Sequence, residues 1–212
     1  MSIKISLASP NYYIYAESIC KIIADTAKIK GNGIAIRQPD YIIRKMEEGK
    51  AIIALEGLQA IGFCYIESWE GQKYVANSGL IVHPDYRKTG LARAIKQATF
   101  SLSKEKFPNS KLFGITTSLA VMKINSELGY KPVTFSELTK DETFWDGCRT
   151  CPNYDILLRT EKALCLCTGM ICDLSSVAKN GHMAASKKAW SNIFNFMKIP
   201  MNRHKSEKIV VE

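Results

Sequence analysis

Apolar residues recur along this chain with two periods, and their alternation orders the elements. Ile3, Ile5 and Leu7 alternate with polar neighbours, which predicts a strand over 3–7, whereas Ile14, Ile19, Ile22 and Ile23 fall on one face of a helix over 11–28. Pro39 opens a second predicted helix. The runs 50–55 and 59–66 flank Glu56-Gly57-Leu58 at hairpin spacing, and 79–82 reads as a further short strand. Leu91, Ala94, Ile95, Ala98 and Leu102 form the stripe of an amphipathic helix that stops before Pro108. A strand over 112–116, a helix over 119–128 ended by Gly129, and a late strand over 154–158 with Arg159 at its end complete the pattern. One hairpin followed by crossovers predicts an α/β fold built on a mixed sheet.

Composition narrows the class. With 46% hydrophobic residues among 212 the chain can bury a core, yet no run of about 18 apolar residues is present to span a bilayer. Asn11, Tyr12, Tyr13, Tyr15 and Glu17 interrupt the first twenty residues, so no secretory leader is read there and a cytoplasmic address is expected. The seven cysteines are then expected as thiols. Of the net +9, residues 175–212 carry seven basic side chains against two acidic ones. A boundary is therefore drawn between a domain over 1–173 and a basic C-terminal extension over 174–212. In that extension Trp190, Ile193, Phe194 and Met197 predict an amphipathic helix that packs on the domain or on a second subunit of a homodimer. The positive balance alone does not select nucleic acid, which is not an expected partner.

The candidate chemistry lies in Leu80-Ile81-Val82-His83-Pro84-Asp85-Tyr86-Arg87-Lys88-Thr89-Gly90-Leu91-Ala92, a strand, a tight turn and a helix start. The unpaired amides of a helix N-terminus attract phosphate, Gly90 lets the backbone approach, and Arg87 and Lys88 add positive charge. No Walker loop is present, and Gly31-Asn32-Gly33 lacks the third glycine of a dinucleotide fingerprint.

Arg87-Lys88-Thr89-Gly90-Leu91-Ala92 resembles the Arg/Gln-x-x-Gly-x-Gly/Ala signature of the GCN5-related N-acetyltransferase (GNAT) superfamily, within a resemblance covering roughly residues 1–160. It implies a GNAT-like mixed, mostly antiparallel central sheet flanked by helices, with acetyl-CoA or another acyl-CoA as co-substrate. It also implies that the backbone of Ile81 and Val82 bonds the pantetheine, and that the amides of Arg87, Lys88, Thr89, Gly90, Leu91 and Ala92 hold the pyrophosphate. Where many members of the superfamily have a tyrosine acid this chain has Asn125, so the acid is left unassigned. His83 is read as a loop residue.

An attacking amine must be neutral, which calls for a base; Glu67 is the first candidate and Glu70 the second. The segments 111–117 and 128–130, with Arg159-Thr160-Glu161-Lys162, resemble the acyltransferase portion of N-acetylglutamate synthases. That narrower resemblance implies an amino-acid acceptor such as glutamate, with Arg37, Arg159 and Lys111 as cations for its carboxylates. The expectation is a direct N-acyl transfer to a small-molecule amine. A polyamine, an antibiotic, a protein lysine, or a non-catalytic CoA-binding module stand as alternatives. Cys148-x2-Cys151 and Cys165-x-Cys167 leave two readings open, a structural zinc or thiols packed as small hydrophobes, and no metal is assigned.

Overall fold

The computed structural model describes residues 3–28 and 34–176. The amphipathic helix predicted over 187–198 lies outside them. β1 (Ile3–Leu7) is followed by a 3-10 turn, Pro10–Tyr15, and by α1 (Ala16–Ala27) and α2 (Pro39–Glu47). The predicted first helix thus begins as a 3-10 turn, which leaves Ile14 80% exposed while Ile19 and Ile23 are buried. The hairpin is β2 (Ala51–Glu56) and β3 (Gln59–Trp69), joined by Gly57-Leu58, with Gly57 at a φ of 58° that suits glycine. β4 (Tyr74–Val82), α3 (Leu91–Lys106), β5 (Lys111–Thr116) and α4 (Leu119–Glu127) follow. Then come β6 (Lys131–Val133), α5 (Glu142–Asp146), α6 (Tyr154–Arg159) and β7 (Thr168–Asp173).

The seven strands form one sheet in the order β1-β2-β3-β4-β5-β7-β6. All neighbours are antiparallel except β4 and β5, which run parallel across the α3 crossover. This is the mixed, mostly antiparallel, GNAT-like sheet expected. One face packs against α3 and α4 through Ile52, Cys64, Ile66, Val75, Leu91, Ile95, Leu102 and Leu112. The other packs against α1 and α2 through Ile19, Ile23, Ile42, Met46, Ile53 and Phe63. Beyond β4 that second face is closed by an aromatic cluster of Tyr74, Phe113, Phe135, Phe144 and Trp145.

The expected strand at 154–158 is corrected: these residues are α6. A short Ile-Leu-Leu run suits either structure. Here Leu157 turns into the core while Leu158 stays 56% exposed, and Asp155 pairs with Arg159 one turn on, at 3.2 Å. The place beside β5 is taken by β7, whose Met170 and Cys172 are buried.

Candidate functional site

Neighbouring parallel strands normally stay paired along their length. Here β4 and β5 pair only where Tyr74, Val75 and Ala76 meet Lys111, Leu112 and Phe113. Beyond Asn77 and Gly114 they splay, and the opening is the mouth of a cleft of about 720 Å³. Its walls are the facing residues Asn77–Val82 and Gly114–Ser118, with Lys96 and Asn125 from one face of the sheet and Arg37, Tyr41, Tyr65 and Glu67 from the other.

A bulge shapes the β4 wall. Phe63 pairs with Ile81 and Tyr65 with Ser78, so β4 spends one residue more than β3 between those pairs. The extra length falls at Gly79, whose φ is 60°. A Cβ there would lie 2.3 Å from Cε1 of Tyr65, so both the conformation and the ring against it require glycine. The bulge takes backbone groups of Gly79 and Leu80 out of the ladder and onto the cleft wall.

At its other end β4 runs into the turn singled out in the sequence. Pro84–Tyr86 makes one 3-10 turn, Thr89 Oγ1 donates to the Tyr86 carbonyl at 2.7 Å, and Lys88 and Gly90 take φ of 63° and 89°. Gly90 caps α3, whose sixteen residues present their first amides to the turn. A Cβ on Gly90 would meet nothing within 4 Å. Arg87 ties the end of β4 to α1, its Nε donating to the Val82 carbonyl at 3.3 Å and its Nη2 to Thr26 Oγ1 at 3.3 Å. Ile81, Val82 and Arg87 line the cleft. Lys88, Thr89, Gly90, Leu91 and Ala92 do not line it; they form the turn and helix start that follow directly, and the Leu91 side chain is wholly in the core.

On the opposite face Arg37 Nε donates to the Tyr65 hydroxyl at 2.9 Å, its Nη1 to the carbonyls of Ile36 and Gly147, and its guanidinium lies 5.4 Å from the Tyr41 ring. The Tyr41 hydroxyl donates to Glu67 Oε1, which also pairs with Lys45 Nζ at 2.8 Å. Burial, with the neighbouring Tyr65 and Glu67, drives the Tyr41 phenol well above its usual range, so Tyr41 remains a proton donor to Glu67. Trp69, Phe113, Phe135, Phe144 and Tyr154 make the rest of this half apolar. Cys148, Cys151, Cys165 and Cys167 line it too, half-buried. Burial and then its cysteine neighbours push the Cys148 thiol up to about 11. No group of three or more metal-ligating side chains among the described residues is arranged to hold a metal ion.

The remaining sequence candidates separate cleanly. Arg37 and Glu67 are in the cleft. Arg159 is not: on α6 it is exposed and paired with Asp155. Lys111 also lies outside, its Nζ 5.9 Å from the Tyr74 ring. Glu70 ties a loop, accepting from Thr139 Oγ1 at 2.6 Å and from the Lys140 amide at 3.0 Å. His83 lines a second cavity, of about 570 Å³, with Ile14 and Pro84.

Sequence reasoning missed Tyr41, Tyr65, Asn77 and Lys96. Lys96, Thr99 and Ser103 carry a signal that could have found the last: they repeat at i, i+3 and i+7 beside the apolar stripe, and all three are at most 2% exposed. They face a buried polar set in which Tyr130 donates to Asn77 Oδ1 at 3.1 Å and Asn77 Nδ2 to Ser103 Oγ at 2.7 Å.

Residues 20–117 match the model of the acetyltransferase (GNAT) family. No curated relative matches the chain by sequence. Among solved structures, N-acetylglutamate synthase from Neisseria gonorrhoeae, complexed with coenzyme A and N-acetyl-glutamate, superposes with a TM-score of 0.60 at 14% identity, covering 82% of this chain and 35% of that one. This chain therefore spans about a third of that synthase. The protein yncA of Salmonella typhimurium, solved with acetyl-CoA, gives 0.57 at 14% identity over 88% of this chain and 99% of that one. A GNAT superfamily phosphinothricin acetyltransferase from Sinorhizobium meliloti, in complex with acetyl-CoA, gives 0.56 at 11% identity over 88% and 96%. At these identities the likeness is one of fold.

Proposed function

Taking residues 20–117 as an acetyltransferase domain of the GNAT family with acyl-CoA as its co-substrate, we propose that this chain transfers a short acyl group directly to the amine of a small amino acid bearing one carboxylate and an apolar side chain. The observation that carries the reading is the splay of β4 from β5 beside a glycine-capped helix. The residues suit such a donor. Open space in front of Gly90 leaves room for a pyrophosphate against the first amides of α3, with Arg87 and Lys88 beside it. The bulge at Gly79 and Leu80 offers backbone groups to a thioester lying along β4, where an amide can stabilise the charge that grows on the carbonyl oxygen.

The acceptor half supplies the specificity. Among the described residues Arg37 is the cation of that half, and its guanidinium suits one carboxylate. With Arg159 and Lys111 outside the cleft, a second acidic group such as that of glutamate meets the aromatic wall instead, which disfavours it. An acceptor amine, with a pKa of about 8 to 10.4, arrives mostly protonated at physiological pH and needs a base within reach. Glu67 is the carboxylate in reach, held by Tyr41 and Lys45 so that its orientation is fixed. Release of free CoA thiol from acetyl-CoA and from succinyl-CoA, measured against a panel of amino acids, polyamines and a lysine peptide, tests the reading. Turnover with apolar amino acids, lost in Glu67→Gln, is the expected result. Turnover confined to polyamines or peptides would overturn the acceptor class.

A further inference from the structure

Direct transfer leaves a thiolate in the donor half of the cleft, and a thiolate formed in a closed site needs a proton. Of the donor-side groups at the point where β4 and β5 part, Asn77 and Asn125 cannot ionise. Lys96 can. It lines the cleft although only 2% of it is exposed, reached from the second turn of α3.

We propose that Lys96 is the acid of this reaction, donating its Nζ proton to the departing CoA sulfur. The proposal rests on the transferase reading above. As the amine lone pair forms the N–C bond, the C–S bond breaks and its electron pair goes to sulfur. The Lys96 ammonium gives that sulfur a proton, the excess proton of the amine goes to the base, and Lys96 is reprotonated from solvent before the next turnover.

The surroundings of Lys96 equip it for this. Its ammonium lies 5.2 Å from the centre of the Tyr130 ring, a contact that favours the cation without removing its proton. Burial, opposed by the Cys64 thiol of β3, lowers its pKa from 10.5 to about 8, close to the value of about 8.5 for a thiol. Among the described residues Cys64 and Tyr130 are the titratable side chains facing it; the Cys172 thiol of β7 acts on Tyr130 in turn. An ammonium and a thiol of matched acidity exchange a proton with little free-energy difference. Asn125 also lines the cleft, and its Oδ1 is buried with no hydrogen-bond partner.

The test measures kcat for CoA-thiol release against pH, at saturating donor and acceptor, in the full chain and in Lys96→Met and Lys96→Gln, with CoA affinity taken by calorimetry. The expected wild-type profile falls on the alkaline side with an apparent pKa near 8. In both variants that limb disappears and kcat at pH 7 drops about 100-fold or more, while CoA affinity changes less than threefold. A limb that persists in either variant, or a kcat within threefold of wild type, overturns the proposal while leaving the transferase reading intact. If wild type releases no thiol with any acceptor, both fall together. Should the variants not fold, the Lys96 Nζ resonance in the lysine-labelled full chain decides: titration near pH 8 that shifts when acetyl-CoA binds supports the proposal, and insensitivity to acetyl-CoA overturns it.

Discussion

Gly79→Ala tests whether the bulge and the acceptor wall are built on one contact. Gly57 is its matched control, because its φ of 58° is close to the 60° of Gly79 while a Cβ there would meet nothing within 4 Å. Both substitutions carry the left-handed penalty of about 1–2 kcal/mol. Gly79→Ala adds an overlap at 2.3 Å with a Tyr65 ring that is 1% exposed and cannot step aside. Forcing a buried ring off its place costs about 1–3 kcal/mol. For a domain of this size the difference between the variants is then roughly 2–12 °C in Tm, Gly79→Ala being the lower. Thermal unfolding by circular dichroism with matched urea titrations measures it. Because Tyr65 accepts from Arg37, the KM for the acceptor also rises in Gly79→Ala and stays constant in Gly57→Ala. Equal losses of stability in the two variants would refute the reasoning.

Arg37→Gln is expected to raise the acceptor KM about 10- to 100-fold, the worth of hydrogen bonds to a charged group, whereas Arg159→Gln and Lys111→Gln leave it within twofold; steady-state kinetics on the three separates cleft from surface. Gly90→Val forces a β-branched residue to a φ of 89° and fills the space before α3. Its CoA dissociation constant should rise at least about tenfold, read by calorimetry. Lys96→Met is expected to raise Tm at pH 7, since it removes a buried ammonium. The folded pKa of about 8 lies below the unfolded value near 10.4, so the unfolded chain holds more protons between them and wild-type stability climbs with pH there. The advantage of the variant therefore shrinks from pH 8 to pH 10 in melts run across that range.

The hairpin was legible because its strands are short apolar runs, buried on both faces, around a glycine turn, and α3 because it buries one face with a single period; the turn 87–92 stood out by its glycine and its basic residues. The full extent of β4 was hidden. Asn77 and Ser78 break its apolar run, and the bulge at Gly79 switches the side-chain alternation halfway along. Tyr154–Arg159 misled for the opposite reason, being too short to show any period. Ile81, Val82 and Arg87, which line the cleft, were singled out from local pattern. On the opposite wall Arg37 and Glu67 were singled out but Tyr41 and Tyr65 were not, because these side chains meet only through the pairing of distant segments, and nothing near Tyr65 in the sequence announces a guanidinium.

The meeting of β4 and β5 over three residue pairs also divides the sheet as a cooperative unit. β1 to β4 form one block and β5, β7 and β6 another, with Tyr74–Ala76 against Lys111–Phe113 as the only ladder between them among the described residues. Amides past that seam, on the central strand β4 and its neighbour β5, that point into the gap lack a partner there and should exchange with deuterium sooner than those of strands nearer the edge. The usual rule that protection peaks in the middle of a sheet is inverted here. A molecule lying in the seam would close it, so the largest gain in protection on ligand binding is expected at the centre of the sheet and not at its loops.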